Sequence, residues 1–181
     1  MNLGPGHVYG QCIVSDEYKI CFILIPKNMS STIREYIKTK LNGYEYNYLK
    51  CTPEQKKYFT FAIFRDIKKR FYSAIDTILF RKINDISKIN DSNLKLYVDN
   101  MIDEHLVKQS EFIKNIRIDM LVNMEIISKH LKTIVNKSLN IKHNINIKHD
   151  VIMNVYKSDI EIYEQSKNMD LNNFLKILKI T

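Results

Sequence analysis

At 181 residues and 21.5 kDa the chain can build one hydrophobic core but hardly two, so residues 1–181 are read as a single domain. Hydrophobic residues make up 45% and charged residues 27%, which excludes a low-complexity or linker-built chain. A net charge of +8 calls for an anionic partner, without choosing among a nucleotide, a nucleic acid, an acidic polysaccharide or a membrane surface.

Val8–Val14 and Lys19–Ile25 are β-rich runs separated by Ser15-Asp16-Glu17-Tyr18, which predicts an N-terminal hairpin. The run Ile20-Cys21-Phe22-Ile23-Leu24-Ile25 is apolar on both faces, as a central strand must be, and Pro26 stops it. Ser30, Ser31 and Thr32 offer cap oxygens to a helix on which Ile33, Tyr36, Ile37 and Leu41 recur, and Asn42-Gly43 ends it. Residues 43–57 are polar and Tyr-rich without a clear period and are read as a mobile loop; Tyr44, Tyr46 and Tyr48 could equally line one face of a short strand.

Phe59–Phe64 predicts a second buried strand, and Ile67, Phe71, Ala74, Ile75, Ile78 and Leu79 predict a helix running to about Lys82. Asn84–Asp91 reads as a linker, and Leu94, Tyr97, Val98, Met101 and Ile102 as an amphipathic helix ending near His105. Arg117–Val122 predicts a third parallel strand, followed by a helix from Glu125 to Lys137. Asn140–His149 reads as a loop, and Val151–Lys167 and Leu171–Ile180 as terminal helices. This alternation predicts a three-layer α/β fold with a mostly parallel central sheet.

Cys12, Cys21 and Cys51 are odd in number and form no CxxC pair, so neither a disulfide framework nor a thiolate metal site is expected. The first ten residues lack a basic n-region and an apolar run, and no segment reaches the ~18 apolar residues of a membrane span. A cytoplasmic location is the expectation. His143 and His149 match no metal-binding spacing and are read as loop residues.

Two strand-loop-helix units carry the candidate chemistry. A strand that turns directly into a helix presents free backbone N–H groups and a positive dipole end to an anion. Pro26-Lys27-Asn28-Met29-Ser30-Ser31-Thr32 adds a cation and two or three hydroxyls there. The same residues also read as an ordinary capped helix beside a surface lysine. This is no Walker A loop, because it has no glycine and its Lys precedes the turn. In the second unit Arg65 emerges at a strand's carboxyl end, where open α/β sheets bind ligands, and Ser73 follows eight residues later on a helix. A basic, solvent-facing helix through Lys68, Lys69 and Arg70 is the plainer alternative. Arg is scarce, 5 against 23 Lys, yet Arg34, Arg65 and Arg70 fall in or beside these units, which suits bidentate anion recognition.

Ile25-Pro26-Lys27-Asn28-Met29-Ser30-Ser31-Thr32-Ile33-Arg34 resembles the 5'-phosphosulfate loop of the carbohydrate sulfotransferase family, with Met29 standing where that family has a small residue. Arg65 through Ser73 resembles the same family's 3'-phosphate site, with Ile67 where Pro is frequent. Three shorter segments also resemble it: His105-x-x-x-Gln109, Ile118-Asp119 to Glu125, and Tyr156 to Tyr163. The resemblance implies a P-loop-like sulfotransferase topology and 3'-phosphoadenosine 5'-phosphosulfate as donor, with no metal ion. It implies that Lys27 contacts the bridging oxygen and sulfuryl group and that Ser31, Thr32 and nearby amides hold the 5'-phosphate. Arg65 and Ser73 would hold the 3'-phosphate, with Asp66 and Arg70 in support.

A sulfuryl group carries less charge than a phosphoryl group, so an ammonium and backbone donors suffice for the departing phosphate. The acceptor hydroxyl, expected on a carbohydrate, needs a base; His105 is the first candidate and Glu45 the reserve. A basic polyanion- or nucleic-acid-binding protein and a nucleotide kinase remain the competing readings. The chain is small for this family, which leaves room for a second subunit to complete the acceptor cleft.

Overall fold

A computed structural model describes residues 9–81, 88–100, 103–130 and 147–180. The expected hairpin is present: β1 (Gln11–Ser15) turns into β2 (Ile20–Ile23), antiparallel, with Cys12 opposite Ile23 and Ser15 opposite Ile20. All four residues of β2 are buried, as its two-sided apolar sequence requires. α1 (Ser30–Lys40) follows and ends at Asn42, whose left-handed φ of 48° stops the helix, while the Gly43 amide returns to the Ile37 carbonyl. A side chain at Gly43 would meet Ile37 at 2.6 Å, so only glycine fits there.

The stretch read as a mobile loop instead contains β3 (Tyr44–Asn47), paired antiparallel with β1, and two single 3₁₀ turns, Tyr48–Lys50 and Gln55–Lys57. β4 (Phe59–Phe64) pairs parallel with β2, and β5 (Met120–Asn123) pairs parallel with β4. The sheet order is β3-β1-β2-β4-β5. The expected mostly parallel sheet is therefore corrected to a mixed one: β2, β4 and β5 run parallel, while β1 and β3 join antiparallel on one side.

The described residues hold eight helices, completed by α2 (Ile67–Arg81), α3 (Leu94–Asp99), α4 (Gln109–Phe112), α5 (Met124–His130), α6 (His149–Val155), α7 (Lys157–Ser166) and α8 (Leu171–Ile177). The single helix expected over Val151–Lys167 is two, separated at Tyr156, whose OH donates to the Leu106 carbonyl at 2.7 Å. His149 opens α6 rather than closing a loop. The expected strand start at Val8, the linker at 84–87, the end of the helix at 101–102 and residues 131–146, with His143 among them, lie outside the described residues.

Alternate residues of each strand feed two cores. Ile13, Phe22, Phe61, Ile63 and Val122 meet α1, α5 and α8 on one face. Phe61 stacks on Phe22 at 5.0 Å and meets Phe174 edge-on at 5.3 Å, contacts worth about 0.5–1.5 kcal/mol each beyond burial alone. Cys12, Val14, Cys21, Ile23, Ala62 and Phe64 form the opposite face with Val107, Phe112 and Ile162. A third cluster joins α2, α3 and α6 through Phe71, Ile75, Leu94, Ile152 and Tyr156. The three cysteines are free and buried; a hydrogen bond with Cys21 and burial hold the Cys12 thiol above its usual pKa, and burial with Cys12 nearby does the same for Cys51. Among the described residues no helix is long and apolar enough to cross a membrane.

Candidate functional site

The register brings five chain segments to one edge of the sheet. Because β1 and β3 run opposite ways, the start of β1 lies beside the carboxyl ends of β3 and β2. Across that edge stand in turn Leu49 after β3, Tyr9 before β1, Lys27 after β2, Arg65 after β4 and Glu125 after β5. The two units singled out in the sequence are thus neighbours, since their strands are adjacent and parallel.

Lys27 and Met29 both have left-handed φ, 70° and 57°, a conformation that costs a non-glycine residue roughly 1–2 kcal/mol. Alternating the sign of φ along a loop turns successive amides toward one concavity, which is how an anion nest is built. Met29 then places its side chain in the core and acts as the cap residue of α1. The cap roles expected of Ser30, Ser31 and Thr32 are corrected here: they lie inside the helix, and no side chain caps its end. The first amide bonded within the helix is Ile33, to the Met29 carbonyl at 3.0 Å. The amides of residues 30–32 and their hydroxyls precede it, at the positive end of the helix dipole.

The end of α2 is different, because Asp66 already occupies it. The Lys69 amide donates to the Asp66 carboxylate at 2.9 Å, and the Asp66 amide donates to Glu125 at 3.3 Å. The end of α5 is likewise closed, the Ile126 amide donating to Asn123 Oδ1 at 3.1 Å, so of the three helix ends at this edge the one after Lys27 is the one without a side-chain cap.

Two guanidiniums hold the loop from behind. Arg65 Nη1 donates to the Lys27 carbonyl at 3.1 Å, and Arg70 Nε donates to the Pro26 carbonyl at 3.2 Å. Arg70 is only 2% exposed, yet no carboxylate among the described residues lies within 4 Å of either guanidinium. Burial lowers the pKa of both; Glu125, Asp66 and Asp76 oppose this for Arg65, and Tyr156 and Asp159 for Arg70. Arg65 Nε and Arg70 Nη2 are buried without a hydrogen-bond partner, and so is Asn28 Oδ1 in the same loop. Buried polar atoms are nearly always paired, so three such atoms around one loop mark it out. Ser73 lies on α2 one turn beyond Arg70 and one turn before Asp76, on the face whose charges act on Arg65.

Gln109 ties the units together and was not singled out as a site residue. Its Oε1 accepts from the Arg65 amide at 3.0 Å and from Asn28 Nδ2 at 2.6 Å, and its Nε2 donates to the Arg65 carbonyl at 3.0 Å. Asn28 Nδ2 also donates to the Ile63 carbonyl at 2.7 Å. Gln109 is fixed by Asp159, which is fully buried and accepts from the amides of Gln109 and Ser110 at 2.7 and 2.9 Å. The only sequence signals for these roles were the short segments containing Gln109 and Asp159.

The two base candidates fare differently. His105 is 8% exposed and sits four residues before Gln109, on the segment that reaches the loop. Its Nδ1 lies 2.7 Å from Asp103 Oδ1, and its amide donates to the same oxygen at 2.8 Å. An Nδ1–H donating its hydrogen bond to Asp103 leaves Nε2 as the acceptor, the tautomer a general base needs, with Glu104 Oε1 4.0 Å from that nitrogen. Glu45 lies on β3, two strands from β2, and is engaged by Lys38 at 3.1 Å and Arg34 at 4.0 Å. The fold does not gather Glu45 with the Lys27 loop. Compared with protein-family models, with curated proteins and with solved structures, the chain matches none.

Proposed function

We propose that this chain is a sulfotransferase that moves a sulfuryl group from 3'-phosphoadenosine 5'-phosphosulfate to a hydroxyl of a carbohydrate. The observation that carries the reading is the meeting of an uncapped helix end after Lys27 with the half-buried Arg65 and the buried Arg70, neither of which has a carboxylate within 4 Å among the described residues. A desolvated cation without a counter-charge is costly, and a bound anion would offset that cost. The residues fit a nucleotide bearing phosphates at both ends.

On this reading Lys27, Ser30, Ser31, Thr32 and the amides of 30–32 hold the 5' side, and Arg65 and Ser73 hold the 3'-phosphate. Pro26, Asn28 and Arg70 keep the loop in shape. The parallel trio β2, β4 and β5, with helices on both faces, suits a P-loop-like sulfotransferase topology to which β1 and β3 add an antiparallel flank. The donor supplies an activated S–O bond. Lys27 and the open amides stabilise charge as it develops on the departing phosphate, and His105 Nε2 takes the acceptor proton.

Thermal-shift titration tests this with adenosine 3',5'-bisphosphate, ATP with Mg²⁺ and a DNA oligomer. The bisphosphate should stabilise the wild type by about 2.7 kcal/mol at a hundredfold excess over Kd, and Arg65→Ala should lose most of that shift. A shift with ATP and Mg²⁺ alone, or with DNA alone, would replace the reading by a kinase or a polyanion-binding protein. His105→Asn should bind the bisphosphate like wild type while sulfuryl transfer falls about 10²–10⁴-fold.

A further inference from the structure

β3 is an outer strand of the sheet, and among the described residues no strand pairs with its free side. The Tyr48 amide donates to the Gly10 carbonyl at 2.7 Å, and the pairing with β1 alternates from there. Tyr44 and Tyr46 therefore turn their backbone groups toward β1, while Glu45 and Asn47 turn theirs outward. Such an edge is a template for another strand unless lysine, proline or a bulge blocks it. Tyr44-Glu45-Tyr46-Asn47 holds no lysine or proline and pairs with β1 residue for residue, without a bulge. Its one charge is matched, with Lys38 at 3.1 Å and Arg34 at 4.0 Å from the Glu45 carboxylate.

The same strand carries an apolar surface. Of the five large hydrophobic side chains exposed among the described residues, Tyr44, Tyr46 and Leu49 belong to β3 and the turn after it. Tyr44 and Tyr46 share one face, their rings 5.9 Å apart and nearly perpendicular, while Glu45 lies on the other face beside α1. Apolar side chains gathered beside unpaired backbone groups mark an interaction surface.

We infer that β3 pairs antiparallel with β3 of a second copy of this chain, about a two-fold axis at Tyr46, joining two five-stranded sheets into one. A two-fold pairing can centre on Tyr44, Glu45 or Tyr46. Centred on Glu45, it sets two carboxylates directly opposite each other. Centred on Tyr44, it needs the Gly43 amide, which the Ile37 carbonyl already takes at 3.0 Å. Centred on Tyr46, it lets Glu45 of each copy exchange both backbone hydrogen bonds with Asn47 of the other, and a neutral amide stands opposite each carboxylate. Tyr46 then meets Tyr46 of the second copy at a non-hydrogen-bonded position, where opposing side chains come closest. The strand is thus its own complement, as a two-fold contact requires, with a neutral residue opposite its acid and an aromatic ring opposite its own. β3 runs parallel to β2, so in the pair the two Lys27 edges face opposite directions and stay apart.

Sedimentation equilibrium over about 1–200 μM tests this. The wild type should approach twice the 21.5 kDa chain mass as concentration rises. Tyr46→Lys sets like charges opposite each other at the axis and should raise the dissociation constant at least about tenfold. Tyr46→Cys, with oxidised glutathione as the two-electron acceptor, should form a disulfide-linked dimer, whereas Leu96→Cys, exposed on α3, should not. The cross-link carries the test if Tyr46→Lys fails to fold. Each variant should treat adenosine 3',5'-bisphosphate as the wild type does, so the pairing and the donor reading stand or fall separately. A wild type that stays monomeric over this range overturns the inference and leaves the edge to a foreign strand or to none. A dimer that Tyr46→Lys leaves unchanged, or that Leu96→Cys links as readily as Tyr46→Cys, overturns it too.

Discussion

Arg70 shows how a residue can be costly to the fold and useful to the site. Its guanidinium is almost wholly buried, makes one hydrogen bond to Pro26 and leaves Nη2 unpaired, which a structural arginine would avoid. Replacing such a group by an apolar one of similar size is often neutral or stabilising. Arg70→Met should therefore unfold in urea within about 1 kcal/mol of wild type or above it, yet bind adenosine 3',5'-bisphosphate at least about tenfold more weakly. A loss of stability with unchanged affinity would make Arg70 a purely structural group. The sequence exposed Arg65 and Arg70 because arginine is rare here, but not Asn28 or Gln109, since a buried amide pair 81 residues apart leaves no local pattern.

The helix ends decide what can bind where. α1 and α2 both follow buried parallel strands, yet Asp66 closes the second while Met29, in a left-handed conformation, leaves the first open. α4 is a single turn, too short to persist alone, and depends on the two amide bonds to Asp159. Asp159→Ala should cost about 2–4 kcal/mol in urea unfolding, because two buried amides lose their acceptor and Arg70 its nearest acid. If the cost is under about 0.5 kcal/mol, α4 is held by packing instead. The apolar runs of β2 and β4 were plain in the sequence, and so was the Asn42-Gly43 stop. β3 was legible only as one of two readings, through the period-two spacing of Tyr44, Tyr46 and Tyr48, because Tyr44, Glu45 and Tyr46 are all exposed and no buried face generates an apolar period. The break at Tyr156 was not legible, since helical spacing continues across it and only the bond to Leu106 betrays the turn.

At the scale of the whole molecule the sheet is mixed because an edge strand of polar sequence closes the β1 side, while the candidate chemistry gathers on the three parallel strands. Stability should depend on pH through groups flanking this edge. Burial, reinforced by Glu125, pushes the Tyr163 phenol up to about 12, and burial likewise raises Tyr156. The fold favours the neutral phenol, so this contribution is complete below pH ~10, where the unfolded chain titrates, and is lost as pH rises toward about 12. Melting temperature should fall across that window, and Tyr163→Phe should flatten the fall; an unchanged slope in the variant would place the sensitivity elsewhere.

The central claim is a two-ended nucleotide clamp, with Lys27 on one side and Arg65 on the other. Calorimetric titration with adenosine 3',5'-bisphosphate and with adenosine 5'-monophosphate tests it most directly. Wild type should prefer the bisphosphate at least about tenfold, and Arg65→Ala should bind both nucleotides alike. Lys27→Ala should weaken both and keep the preference. Equal affinity of the wild type for the two nucleotides would contradict the clamp.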